Sequence, residues 1–169
     1  IFWDNAYDLH HIVENGDEIL NIIEECAQAG NPHRPFMFAS TSKITYPGSG
    51  VAMIAASEEN IAFIKKQLTY QTIGPDKVNE LRHIRFFGTP EGVIEHMKKH
   101  AAILKPKFDI VTDTLERELD GLDIAQWFKP KGGYFVSLDV YPGTAQRVYE
   151  LAKQAGVTLT NVGATFPYG

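Results

Sequence analysis

Lys43 stands in the run Ser40-Thr41-Ser42-Lys43-Ile44-Thr45-Tyr46-Pro47-Gly48-Ser49-Gly50, a hydroxyl-rich loop between two short apolar stretches at 36–39 and 51–56. A lysine so close to two strand-like stretches either reaches solvent or does chemistry, and its small polar neighbours predict a cavity around it. Desolvated and hydrogen-bonded, such an amine loses its proton readily enough to attack a carbonyl and form a Schiff base. The alternative is an ordinary loop lysine whose stem lies on apolar surface while its ammonium stays in water. A second polar group, Asp4 and Tyr7, follows the apolar stretch Ile1-Phe2-Trp3.

The elements that must position these groups are short. Residues 1–3 read as the end of a buried strand, and 4–8 as the turn that leaves it. From 17 to 29, Ile19, Leu20, Ile23, Cys26 and Ala27 make one apolar helical face, ended by Gly30. Cys26 on that face reads as a small core residue, not a reactive thiol. A strand follows at 36–39, so the first part of the chain is a βαβ unit with parallel strands expected. Ligands of parallel sheets sit outside the carboxyl ends of the strands. Asp4 and Tyr7 after one strand, and Ser40, Ser42 and Lys43 after the next, can therefore converge. An acid, a phenol, hydroxyls and a lysine suit pyridoxal 5'-phosphate: the lysine makes the imine, the acid keeps the pyridinium protonated, and the phenol binds the ring hydroxyl.

Further along, a strand is expected at 51–56 and a helix at 57–69 capped by Ser57, with Ile61, Ile64 and Leu68 inward. The Gly74-Pro75-Asp76 break starts another helix with Val78, Leu81 and Ile84 on one side. Thr89-Pro90 supplies a cap and a first-turn proline for a long helix. Its apolar positions are Val93, Ile94, Met97, Ala101, Leu104, Phe108, Val111, Leu115 and Leu119, with a kink expected at Pro106. Such a helix commonly bridges two domains, so residues 1–90 are expected to form one domain and 91–169 the interdomain helix and a smaller one. In the latter, a strand or extended segment is expected at 124–129, and strands at 134–140 by the alternation of Tyr134, Val136, Leu138 and Val140, and at 157–160. A helix is expected from Gly143 or Thr144 to Gly156, with Val148, Leu151, Ala152 and Ala155 inward.

Composition sets outer limits. Hydrophobic residues make up 44% of 169 and charged residues 22%, values ordinary for a water-soluble globular fold. A formal charge of -5 argues against nucleic acid as the main partner. One cysteine precludes an internal disulfide and favours a cytoplasmic setting. No apolar run approaches the roughly 20 residues of a membrane span, and the start carries no signal-peptide pattern. The chain opens on Ile1 inside an apolar stretch and stops at Gly169 without a polar tail, which predicts a segment of a longer protein.

The spacing Asp4-x-x-Tyr7, then Ser40-x-Ser42-Lys43, then Pro47-Gly48 resembles the fold type I pyridoxal-phosphate-dependent aminotransferases. Longer phrases resemble the aspartate aminotransferase subgroup related to the MocR-like aminotransferases: Ser40 through Ala52, Ile73-Gly74-Pro75-Asp76-Lys77-Val78-Asn79, Leu81-Arg82-His83, and Gly163 through Gly169. Pro130-Lys131-Gly132-Gly133-Tyr134-Phe135 is similar to the strand entry of the aminotransferase small domain. The resemblance covers nearly the whole chain. It implies an α/β fold, part of the aspartate aminotransferase-like transferase fold, with a mostly parallel sheet segment and a small α+β domain. It implies Lys43 as the catalytic Schiff-base lysine and, once released, the base that moves the substrate proton. Asp4 would pair with the pyridine nitrogen and Tyr7 with the ring hydroxyl, while Ser40, and less strongly Ser42, would bind the phosphate. The parent protein is then expected to be a cytoplasmic homodimer that takes amino acid and 2-oxo acid substrates, aspartate and 2-oxoglutarate first among them. The segment alone is expected to be inactive, with apolar surface exposed.

Two departures matter, the second being that the arginine gripping the substrate carboxylate is expected just beyond Gly169 and the phosphate-cradling loop and stacking aromatic before Ile1. Many relatives carry a phosphate-binding arginine two residues after the Pro-Gly; that position is Gly50 here. Lys77 or Arg82 are the candidate substitutes, with solvated helix charges as the alternative for both. The helical pair His96 and His100 has zinc-like i, i+4 spacing, yet no third ligand is evident, so no metal is expected and a solvated face is favoured. Two other readings stand beside the enzyme: a pyridoxal-phosphate-binding regulatory domain of the MocR transcription-regulator type, and a non-enzymatic βαβ interaction domain.

Overall fold

A computed structural model describes residues 1–164 and 166–168. The chain divides into two compact units, one comprising Ile1–Lys105 with Lys131–Tyr134, the other Pro106–Pro130 with Phe135–Gly169. The division falls inside a single long helix.

In the first unit, strands β1 (Phe2–Asp4), β2 (Phe36–Ser40) and β3 (Ala52–Ala55) form a sheet in that order. β1 and β2 are parallel, with Asp4 opposite Phe38, as the intervening helix requires. β3 runs antiparallel to β2, with Ser40 opposite Ala52. This corrects the expectation of a mostly parallel segment: the loop from β2 to β3 holds no crossover helix, so the chain returns beside the strand it has just left.

Helix α1 (Ile22–Gln28) is shorter than the apolar pattern implied. Asn21 sets its start by accepting the Glu24 N–H at 3.5 Å, which leaves Ile19 and Leu20 exposed ahead of the helix. Ile22 and Cys26 take the buried face, so the core role of Cys26 holds. Helix α2 (Glu58–Leu68) is capped as expected, Ser57 Oγ accepting from the Asn60 N–H at 3.4 Å. Its expected inward face is only half-buried at Ile61 and Ile64, and Leu68 is exposed.

Helix α3 (Lys77–Phe87) starts where Asp76 accepts the N–H groups of Val78 and Asn79 at 3.1 and 3.0 Å. Here the expected packing face is wrong. Val78, Leu81 and Ile84 are exposed, whereas Asn79, His83 and Phe87, spaced one turn apart, are half-buried. Helix α4 (Pro90–Leu119) begins at its proline and continues through Pro106, whose missing N–H leaves the Ala102 carbonyl without its helical partner. Thr89 Oγ1 accepts the Gly92 N–H at 3.3 Å. Met97 and Phe108 are buried as anticipated; Ile94 and Val111 are exposed.

The first unit's core gathers Ile12, Ile22, Cys26, Ile44 and Met97. The segment Lys131–Tyr134 belongs to it through main-chain bonds, Ile12 N–H to the Lys131 carbonyl and Gly133 N–H to the His10 carbonyl, both 2.9 Å. Gly132 lies so close to the His10 carbonyl that any Cβ there would collide with it. An ion pair between Lys131 and Asp17 adds to the seam.

In the second unit, β4 (Ala125–Trp127) and β5 (Leu138–Val140) pair antiparallel, and α5 (Ala145–Gln154) follows. Two expectations fail. The alternation from Tyr134 yields a strand only at Leu138–Val140, because the earlier residues bond elsewhere, Gly132 bridging to His11 and Tyr134 to Lys43. Residues 157–160 are irregular, since no described residue forms a ladder with them. Leu151 and Ala155, expected inward, are exposed, while Val148 and Ala152 are half-buried.

Candidate active site

Parallel pairing brings the ends of β1 and β2 side by side, and their carboxyl ends carry the residues singled out from sequence. Asp4 closes β1, and Ser40 closes β2. The Asn5 N–H donates to the Phe38 carbonyl at 2.7 Å, extending the pairing one residue past Asp4. The exposed Asp4 carboxylate accepts the Ala6 N–H at 3.2 Å, which turns the chain toward Tyr7. Ser40 Oγ accepts the Ser42 N–H at 3.4 Å, so these two serines form one compact turn.

Lys43 is exposed, not enclosed in a cavity as its neighbours suggested. Adjacent residues diverge in this turn, and Ile44 takes the buried place. The Lys43 main chain, by contrast, is firmly held. Its carbonyl accepts from His10 Nε2 at 3.2 Å and from the Tyr134 hydroxyl at 3.3 Å. A carbonyl can only accept, so His10 carries its proton on Nε2. The His10 ring lies between Tyr7, 5.4 Å away, and Tyr134, 5.2 Å away, and the two tyrosine rings meet edge-on at 5.7 Å. Burial pushes the His10 imidazole below its ordinary value, against the opposing pull of its main-chain hydrogen bonds. Burial also pushes the Tyr134 phenol up, with Tyr7 adding to the shift. Tyr7 is thus one ring removed from the Lys43 main chain.

The rest of the loop is pinned by His83 and His96, the second of which was expected on a solvated helix face. His83 Nδ1 bonds the Asn79 carbonyl and Nε2 bonds Thr41 Oγ1, both at 2.8 Å. With Nδ1 donating to a carbonyl, the neutral ring accepts the Thr41 hydroxyl proton, and Thr41 Oγ1 in turn accepts the Val51 N–H at 2.8 Å. Asn79 Nδ2 donates to the Ser49 and Gly50 carbonyls at 2.9 and 3.3 Å. His96 Nε2 donates to the Ile44 carbonyl at 2.9 Å, its ring packed against Phe86 and Phe87. His96 and His100, half-buried with ring centroids 4.6 Å apart, are therefore not a solvated face. No group of three His, Cys, Asp or Glu among the described residues is placed to hold a metal ion. One signal was available: Asn79 and His83 share a helical face that the apolar pattern had assigned to solvent.

Gly50 has a packing reason to lack a side chain. A Cβ there would collide with the Ser42 main chain and hydroxyl, so no arginine fits at this position in this loop. Of the two candidate substitutes, Arg82 lines a cavity of about 590 Å³ together with Thr45, Tyr46, Ser49 and Asn79, whereas Lys77 does not.

The aspartate amino-transferase family matches residues 1–169. This chain belongs to that family. A protein of Mycolicibacterium smegmatis named as an aminotransferase is 51% identical over 168 residues, 99% of this chain and 39% of its own. The crystal structure of an aspartate transaminase from Corynebacterium glutamicum superposes with a TM-score of 0.93 at 48% identity, covering 99% of this chain and 39% of that one. The alpha-aminoadipate aminotransferase LysN of Thermus thermophilus, solved with N-(5'-phosphopyridoxyl)-L-leucine, shares the fold at TM-score 0.71 and 22% identity, over 93% of this chain and 39% of its own. The family member described here thus spans about two fifths of the length of these relatives.

Proposed function

We propose that the parent protein is a cytoplasmic, homodimeric aminotransferase that uses pyridoxal 5'-phosphate to move an amino group from aspartate to 2-oxoglutarate. The observation that carries this reading is the adjacency of the β1 and β2 carboxyl ends, which groups Asp4 and Tyr7 with Ser40, Ser42 and Lys43. The choice of aspartate is supported by the relative named as an aspartate transaminase at 48% identity.

The donor set fits the cofactor. The Lys43 ammonium is exposed and has no hydrogen-bond or ion-pair partner among the described residues. The bound cofactor supplies an electrophilic carbonyl and a ring that accepts electrons from the substrate Cα. Asp4 offers a carboxylate to a ring N–H, and Tyr7 a phenol to a ring oxygen. Ser40 and Ser42 offer hydroxyls to the phosphate, with Arg82, on the cavity lined by Thr45 and Ser49, as the candidate cation. Lys43 would hold the cofactor through its amine, and that amine in its neutral form would carry the proton to and from the substrate Cα.

Full-length protein treated with pyridoxal phosphate and borohydride should carry the fixed cofactor mass on the peptide containing Lys43. Lys43→Ala should lose that mass and cut aspartate to 2-oxoglutarate transfer by at least about a thousandfold. Labelling of a different lysine would overturn the site, and turnover of other amino acids but not aspartate would overturn the substrate.

A further inference from the structure

The main chain on either side of the reactive loop's turn is fixed at two consecutive carbonyls by groups from three separate stretches of chain. We infer that His10 and Tyr134 are positioning residues that clamp the Lys43 carbonyl, with His96 clamping the Ile44 carbonyl beside it, so that the lysine amine swings from an anchored Cα. This inference rests on the reading of Lys43 as the cofactor-bearing lysine.

A carbonyl oxygen has two lone pairs, and here both have donors, His10 Nε2 at 3.2 Å and the Tyr134 hydroxyl at 3.3 Å. His10 packs against tyrosine rings on two sides and is 2% exposed. His96 is fixed by Phe86 and Phe87, with ring centroids at 5.2 and 5.5 Å. The arrangement is asymmetric along the residue: the Lys43 side chain is exposed while its carbonyl is doubly bound. A reactive lysine needs both properties. Its amine has to reach the cofactor, leave it and return to the substrate Cα, and a displacement of about 1 Å in such a group can cost on the order of a hundredfold in rate. Anchoring the Cα and freeing the side chain limits that displacement without blocking the swing.

The groups facing His10 are few. Tyr7 and Tyr134 pack on its ring, His11 and Lys43 contribute charge nearby, and His100 of α4 couples to it electrostatically. None of them can replace its N–H toward the carbonyl, since Tyr134 already donates there.

The test uses the full-length protein. His10→Phe keeps a flat ring and removes the N–H; His10→Gln keeps an amide N–H at the reach of Nε2; Tyr134→Phe removes only the second donor. Amide hydrogen exchange of the peptide spanning 41–45, measured without cofactor, reads the clamp directly. The pH at which the absorbance of the lysine-linked cofactor changes reads its effect on the amine. In His10→Phe we expect exchange at 41–45 to rise and kcat to fall, each roughly tenfold, with KM within about twofold, the loss expected from one ordinary hydrogen bond. The absorbance midpoint should also move. His10→Gln should restore all three, and Tyr134→Phe should show a smaller change of the same sign. Unchanged exchange and an unchanged midpoint in both His10→Phe and Tyr134→Phe would overturn the clamp; Tyr134→Phe alone decides if His10→Phe does not fold. Wild-type protein with no cofactor on Lys43 would remove the reading beneath the inference, while the exchange data would still decide whether the loop is clamped.

Discussion

His10 combines near-complete burial with a titratable ring, and that combination has a pH signature. In the unfolded chain the ring titrates at its ordinary 6.5; in the folded chain burial lowers it. Between those two values the unfolded state binds more protons, so stability is full above about pH 6.5 and is lost as pH falls below it. His100, lowered by burial and then by His96, acts in the same direction. Thermal unfolding of the parent protein between about pH 7.5 and 5, above the range where carboxylates protonate, should show Tm falling with acidification. The slope should flatten in His10→Gln, and an unchanged slope would show that His10 contributes nothing to it. Gly50 offers a second residue-level prediction: Gly50→Ala should cost roughly 1–3 kcal/mol in chemical denaturation, because its Cβ has no space beside Ser42. A neutral result would mean that the Ser42 turn gives way easily.

At the scale of elements, ends were more legible than faces. Ser57, Asp76 and the Thr89-Pro90 pair announced helix starts because capping is local chemistry, complete within four residues. Asp76→Ala should therefore destabilise by about 1 kcal/mol and Asp76→Asn by much less, measured as the shift in denaturant midpoint. Equal losses in both would place the effect in charge and not in the cap. Faces depend on what lies across from them. Val78, Leu81 and Ile84 form a regular apolar stripe, yet the loop that α3 meets is made of carbonyls and hydroxyls, and Asn79 and His83 answer those. The direction of β3 was equally hidden, since strand composition is the same for parallel and antiparallel neighbours, and only the absence of a crossover helix decides. The strand ends that carry Asp4 and Ser40 were readable from position; the histidine network was not, because each bond joins residues far apart in sequence.

For the whole molecule, the 39% span relative to its homologues matters most. β1 and β3 each pair only with β2 among the described residues, so both flank the sheet as edges. Large apolar side chains stand well out in the isolated chain, Phe2 at 81% and Val78 at 72% exposure among them. Such surface drives association in water. The 169-residue chain made alone should bind an apolar dye, elute as multimers in size-exclusion chromatography and show no transamination. A monomer silent to the dye would mean that the segment is self-sufficient.

The pair of hydrogen bonds accepted by the Lys43 carbonyl also sets an order of events during synthesis. Its two donors lie 33 and 91 residues away, one before Lys43 in the chain and one after. At bacterial to eukaryotic elongation rates, the second donor leaves the ribosome on the order of 5 to 20 seconds after the lysine does. Throughout that interval the turn has His10 but not Tyr134. The Lys43 turn therefore reaches its final geometry only after Tyr134 has been made, and a nascent chain cut short before Tyr134 would carry the lysine without its full clamp.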